Sequence, residues 1–203
     1  MAKITSIEEL RRLYSEPSKR SALKQFAHLD RHCRRFIELS PFFVLSSTQP
    51  GGPADVSPRG GLSGFVEVLD DRTLLIPDRP GNNRLDTLIN LIANSEVGML
   101  FLIPGVDETL RVNGIAEIRD DEELCRHFSV KDRLPKTVLR VTVREVFLHC
   151  AKAIMRAGLW DPQKKIERSL LPTIGQMLKE QIGLEGPAES QEAMIARYQN
   201  NLY

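Results

Sequence analysis

Thr137-Val-Leu-Arg-Val-Thr-Val-Arg-Glu-Val-Phe-Leu-His149 decides how the rest of the chain is read. Leu139, Val141 and Val143 alternate with Arg140, Thr142 and Arg144, the period-two pattern of a strand with one face on a core. The parity slips near Glu145, since the next apolar positions are Val146 and Leu148, so a bulge or sharp bend is expected there. Upstream the same texture recurs. Phe42-Phe-Val-Leu-Ser-Ser47 reads as a strand, Gln49-Pro-Gly-Gly-Pro53 as a loop, and Ala54 to Ser57 as the hairpin partner. Phe65 to Val68 and Thr73 to Ile76 flank the turn residues Asp70-Asp71, and Val97 to Leu102 meets Thr109 to Ile118 across Ile103-Pro-Gly-Val-Asp107. One helix interrupts at about Arg84 to Ala93, apolar on Leu85, Leu88, Ile89 and Ile92, and Asp120 opens a short helix through His127. Six or more short strands around one central helix predict a small antiparallel barrel. A doubly wound sheet is excluded, because the strands do not alternate regularly with crossover helices.

The ends of the chain are helical. Ser6 and Glu9 fit a capping box before Ile7, Leu10 and Leu13, and Pro17 separates this helix from a second one. Leu23, Phe26, Cys33 and Ile37 recur in that second helix at helical spacing until Pro41 stops it. Beyond Trp160, helices are expected from Pro172 to Gln181 and from Pro187 to Asn200. The chain thus divides into helices packed on the barrel (1–40), a barrel domain (41–160) and a C-terminal helical extension of the same unit (161–203).

Composition narrows the functions. With 28 Lys plus Arg against 27 Asp plus Glu, the formal charge of +1 is a poor match for a phosphate backbone or an anionic membrane. Aromatics at 6% are too sparse for a platform that stacks single-stranded bases. The apolar run Val97 to Ile103 is too short to span a bilayer, and Met-Ala-Lys-Ile-Thr-Ser-Ile-Glu-Glu lacks the apolar core of a secretory signal. Cys33, Cys125 and Cys150 are odd in number and contain no CxxC pair, so neither a disulfide framework nor a cysteine-rich zinc site is expected. A reduced cytoplasm follows as the expected location.

Three constellations could carry chemistry. Asp55-Val-Ser57-Pro-Arg59-Gly60-Gly61 presents a hydroxyl, a guanidinium and open backbone N–H groups at a strand end, suited to an anionic or polar-ring ligand; a plain turn with a solvent-facing arginine is the alternative. Ile76-Pro-Asp78-Arg79-Pro-Gly81-Asn82-Asn83-Arg84 runs from a strand end into a helix N-terminus, where Asn83 can cap and Arg84 can grip phosphate. An ordinary capped helix competes with that view. Lys152 and Arg156 share a helix face one turn before Trp160, which could cover an aromatic ring or simply fill a core. His28, Asp30, His32 and Cys33 lie close enough to suggest a metal, but a solvated helix face explains them as well and no third ligand is evident. His127 and His149 have no nucleophile at a readable spacing, and Arg31-His-Cys-Arg34-Arg35 is too short for a nucleic-acid footprint.

Phe42-Phe-Val-Leu, Val56-Ser-Pro-Arg-Gly60, the Pro77-to-Arg84 loop, Asn94-Ser-Glu-Val-Gly-Met-Leu-Phe101 and Leu110-Arg-Val-Asn-Gly-Ile-Ala116 occur in that order. Together, over roughly residues 30 to 160, they resemble the pyridoxamine 5′-phosphate oxidase-like flavoproteins, closest to a bacterial subgroup of FMN-binding proteins. The resemblance implies an α+β, mainly antiparallel fold: a six-stranded split β-barrel with N-terminal and C-terminal helices. It also implies a homodimer with FMN at its interface. Carried over, Arg59 with Ser57 and Gly60 would lie near the flavin, and Asp78 and Arg79 along the ribityl chain. Asn83 and Arg84 would take the phosphate, Thr109 and Arg111 would open the strand that approaches the ring, and Arg156 and Trp160 would close the site.

Two departures matter. The oxidases' Arg-Lys pair at the helix start is here Arg84-Leu85, and no Arg-x-His follows Trp160, so the vitamin substrate does not transfer. The expected function is an FMN-dependent oxidoreductase acting on an unidentified small molecule, with catalytic residues left open. The rival is a protein that holds FMN, haem or a deazaflavin without turnover.

Overall fold

A computed structural model describes residues 3–199 and 202. Among them, seven strands form one antiparallel sheet: β1 (Phe42–Thr48), β2 (Ala54–Gly60), β3 (Glu67–Val68), β4 (Thr73–Asp78), β5 (Glu96–Leu102), β6 (Thr109–Arg119) and β7 (Thr137–His149). Their order is β2-β1-β5-β6-β7-β4-β3, so β2 and β3 are edges and no ladder joins them. The expected six-stranded split barrel is therefore wrong: the strands number seven and the sheet is open. Alternation in sequence reports that a strand exists, but closure requires a pairing between the outermost strands. Here one of those is only the two residues Glu67–Val68.

Among the described residues, eight α-helices accompany the sheet: α1 (Ile7–Leu13), α2 (Lys19–Leu23), α3 (Arg31–Leu39), α4 (Asp86–Ala93), α5 (Glu122–His127), α6 (Lys152–Ala157), α7 (Ile174–Ile182) and α8 (Gln191–Gln199). The second predicted helix is broken in two. Phe26 leaves the helical path to exchange backbone hydrogen bonds with Val146 of β7, at 3.0 and 2.8 Å. Asp30 then starts α3 by accepting the N–H groups of His32 and Cys33. Asn200, the last residue of the final predicted helix, lies outside the described residues. None of the helices described is long and apolar enough to cross a membrane.

The core lies on the inner face of the sheet. Phe43 of β1 and Phe101 of β5 are fully buried and stack at 4.8 Å, with Leu45, Leu74, Leu110, Val112 and Val141 around them and Ile37 of α3 across. β4 is buried on both sides, because Leu75 on its outer face packs with Cys125 of α5 and Val138.

The parity slip near Glu145 is a bulge. Asn113 pairs with Glu145 but Gly114 pairs with Val143, which leaves Arg144 as the extra residue. Gly114 is required there, since a Cβ would sit 2.4 Å from the carbonyl oxygen of Thr142. Gly114→Ala should cost roughly 1–3 kcal/mol of overpacking strain, read as a lower urea midpoint. An unchanged midpoint would show that the bulge can shift to admit a methyl group.

Candidate functional site

α4 is seated on the sheet by buried polar contacts. The Thr87 hydroxyl donates to Asp55 Oδ2 at 2.8 Å and lies 3.2 Å from the Ser57 hydroxyl, and Asn90 donates to Ser47 Oγ at 3.1 Å. Asp55 and Ser57 come from β2 and Ser47 from β1, so these bonds fix the helix's first turn against the sheet's edge. The approach to that turn is sharply bent, with Asn83 at φ 57° and Leu85 at φ 61°, both left-handed. Such backbone is costly for a leucine and clusters at functional sites. Leu85 occupies the cap position and no side chain caps the helix, which corrects the expectation that Asn83 would. Instead Asn82 Oδ1 accepts the Arg84 N–H at 3.0 Å.

Arg59 of β2 and Asp78 of β4 form an ion pair at 2.7 Å, both largely buried. These strands are first and sixth in the sheet order, so the sheet curls until its two ends face each other across side chains. Between those ends and the start of α4 lies a cavity of about 900 Å³. Ser57, Arg59, Asp78, Arg79, Asn83 and Arg84, all singled out from the sequence, line it. Arg79 donates to the Phe128 carbonyl at 2.8 Å. Arg84 pairs with Asp86 through Nε at 2.8 Å, and that carboxylate pushes the guanidinium above its already high ordinary pKa.

Lys136 and Thr137 also line the cavity and were missed from the sequence. The signal was their position: Thr137 opens the longest strand and pairs directly with Asp78, and Lys136 immediately precedes it. Arg59 Nε and Thr137 Oγ1 are buried without a hydrogen-bond partner in the described structure, unusual for interior polar atoms.

Five expected site residues do not line this cavity. Gly60 ends β2 opposite Phe42, and Thr109 is buried opposite His149. Arg111 binds Glu145 at 2.8 Å and lies 4.0 Å above the Phe147 ring. Glu145 also accepts from Asn113 and Gln25. Burial first, then the positive charges of Arg111 and Lys24, hold the nearby His149 imidazole below its ordinary pKa. Arg156 is exposed on α6, and Trp160 donates to the Val106 carbonyl at 2.9 Å.

Among the residues singled out at the start of α3, Asp30 is the N-cap. Burial and the neighbouring Asp30 push the Cys33 thiol up to about 12, so it stays protonated as an ordinary core group. Among the described residues, no group of three His, Cys, Asp or Glu side chains is placed to hold a metal ion.

No curated protein matches the chain. Among solved structures, a variant of HupZ from Group A Streptococcus superposes with a TM-score of 0.50 at 18% identity, covering 60% of this chain and 99% of that one. An FMN-binding protein from Syntrophomonas wolfei subsp. wolfei gives a TM-score of 0.44 at 16% identity, covering 71% and 97%. General Stress Protein 26 from Bacillus anthracis str. Sterne gives 0.43 at 14%, covering 58% and 93%. The first of these likenesses is one of fold alone. A family model described as pyridoxamine 5′-phosphate oxidase matches residues 29–150, from the start of α3 to the end of β7, and so spans the whole sheet together with α4 and α5. With more than half of its length matched, the chain belongs to the pyridoxamine 5′-phosphate oxidase family.

Proposed function

We propose that the cavity beside α4 holds FMN, and that the protein is an FMN-dependent oxidoreductase acting as a homodimer on a small molecule. The observation that carries this is the convergence of Arg59, Arg79, Arg84 and Lys136 around one cavity at a helix N-terminus. The residues present fit the group. Arg59 and Thr137 bring buried polar atoms that lack partners, and a space of about 900 Å³ lies within the range that small-molecule sites occupy. A dinucleotide has no comparable support, since the sequence contains no GxGxxG.

Bound FMN would supply hydride or electron-pair chemistry at its ring; the protein contributes placement and charge. Arg84 and the uncapped first turn of α4 take the phosphate. Asp78 and Arg79 would hold the ribityl chain, and Arg59 with Ser57 would hold the flavin. Thr109, Arg111, Arg156 and Trp160 do not line their own chain's cavity, and in this proposal they would serve the site of a second copy. Outward-facing Leu100 and Leu102 on β5, with the exposed apolar side chains of α7 and α8, are the surface for that association.

Heating the purified protein and chromatographing the released cofactor tests the assignment. FMN is the expected product. FAD alone, or a colourless protein that FMN cannot reconstitute, overturns it. Anaerobic photoreduction followed by a panel of acceptors then separates turnover from storage.

A further inference from the structure

We infer that Asp86 is a built-in competitor for the ligand's phosphate: it occupies Arg84 and the positive end of α4, and so sets which anions can enter. The inference rests on the FMN assignment above and concerns how that site chooses its ligand.

Asp86 Oδ2 accepts from Arg84 Nε at 2.8 Å and Oδ1 accepts from Nη2 at 3.4 Å, so both carboxylate oxygens face one edge of the guanidinium fork. That planar edge is the one a phosphate uses in a two-point contact. Asp86 is also the first residue of α4, where a negative charge is stabilised by the helix dipole. The two features that favour a phosphate at this corner are therefore already compensated, and by the same carboxylate.

The geometry is local and fixed. The left-handed residues Asn83 and Leu85 bracket Arg84, and Asn82 holds its backbone N–H. The side chain consequently reaches Asp86 across only two positions. Arg84 is mostly exposed, at 71%, and Asp86 about half, at 47%, so the pair can open without disturbing the core. By contrast, Arg59 is tied to a partly buried Asp78 and Arg79 to a backbone carbonyl. Arg84 is thus the lining arginine most easily exchanged.

An incoming anion must take the fork from a monoanionic carboxylate and then sit beside it. A phosphate monoester carries about −1.5 to −2 charges at pH 7 and three acceptor oxygens, so it can win that exchange. A carboxylate or other monoanion gains nothing over Asp86. The site therefore discriminates for dianionic phosphate monoesters, and it does so by charging every ligand the cost of displacing Asp86.

Full-length protein stripped of flavin, as wild type and as Asp86→Asn, is titrated with FMN and with riboflavin by quenching of flavin fluorescence. Asp86→Asn should bind FMN roughly five- to thirtyfold more tightly, because the Arg84 fork is released from its carboxylate competitor. Riboflavin, which has no phosphate, should change by less than about twofold. The gain should shrink in an Arg84→Ala background, because the fork being contested is gone. Unchanged FMN affinity would make Asp86 an ordinary surface residue, and weaker FMN binding would make it a residue that positions Arg84; either result overturns the inference. Equal changes for both flavins overturn it too, since they trace to altered folding. If the wild type and Asp86→Asn both bind neither flavin, the FMN assignment falls and the inference with it.

Discussion

Phe101→Ala should lower the unfolding free energy by roughly 3–5 kcal/mol, the range for truncating a fully buried aromatic in a packed core. Phe101 has no exposed surface and stacks on Phe43 at 4.8 Å. It sits on β5, between β1 and β6, so the surrounding backbone is held on both sides and cannot collapse into the space left behind. Domains of ordinary size have only about 5–15 kcal/mol in total, so the variant should be near the limit of folding at 37 °C. Equilibrium urea unfolding checks this, with a lower midpoint and an unchanged slope expected. Phe101→Leu should recover much of the loss. A midpoint for Phe101→Ala no lower than that of Leu62→Ala, a residue 78% exposed, would mean the stacked pair is not the centre of the core.

Arg84→Ala is expected to weaken FMN binding by roughly ten- to a hundredfold while leaving riboflavin nearly unaffected. Removing the guanidinium deletes the charge-assisted contact to the phosphate and frees Asp86 of its partner. The comparison between the two flavins isolates the phosphate. Parallel losses would trace to misfolding of the loop, and no loss for either would leave Arg84 on the surface with Asp86 as its sole business. Because Arg84 is exposed and lies outside the core, the thermal midpoint without ligand should move little.

How far these features could be seen in the sequence depends on the range of the interaction behind them. Thr137 to His149 declared its strand and its bulge, because alternation and its failure at Glu145 are local. The two Arg-bearing loops were likewise legible as strand ends rich in Pro, Gly and polar groups, and their six candidate side chains do share one cavity. Long-range choices were not legible. Leu23 to Ile37 has helical spacing throughout, yet Phe26 is drawn out of helix by the backbone of Val146. Whether the sheet closes depends on what β2 and β3 do at opposite ends of it, and no periodicity encodes that. Thr137 joined the cavity lining through the β4–β7 register, and Arg84 turned to Asp86 through a left-handed backbone that Leu85 does not advertise. Trp160 and Arg156 were placed by resemblance alone, and the structure sets both outside the cavity lining, with Trp160 bonded to the Val106 carbonyl.

An open sheet carries a hazard that a closed one lacks, because each edge offers a row of backbone groups on which a foreign strand can grow. Both edges here are poor templates. β3 is two residues long, too short to seed a ladder. β2 is longer, but Pro58 stands exposed at its middle with no N–H to donate, and Asp55 and Arg59 place a charge on either side of it. Pro58 therefore blunts the outer edge of β2 while the strand stays paired with β1. Replacing it with valine would restore the missing donor, leave β1 pairing intact, and turn a blunt edge into one open to aggregation.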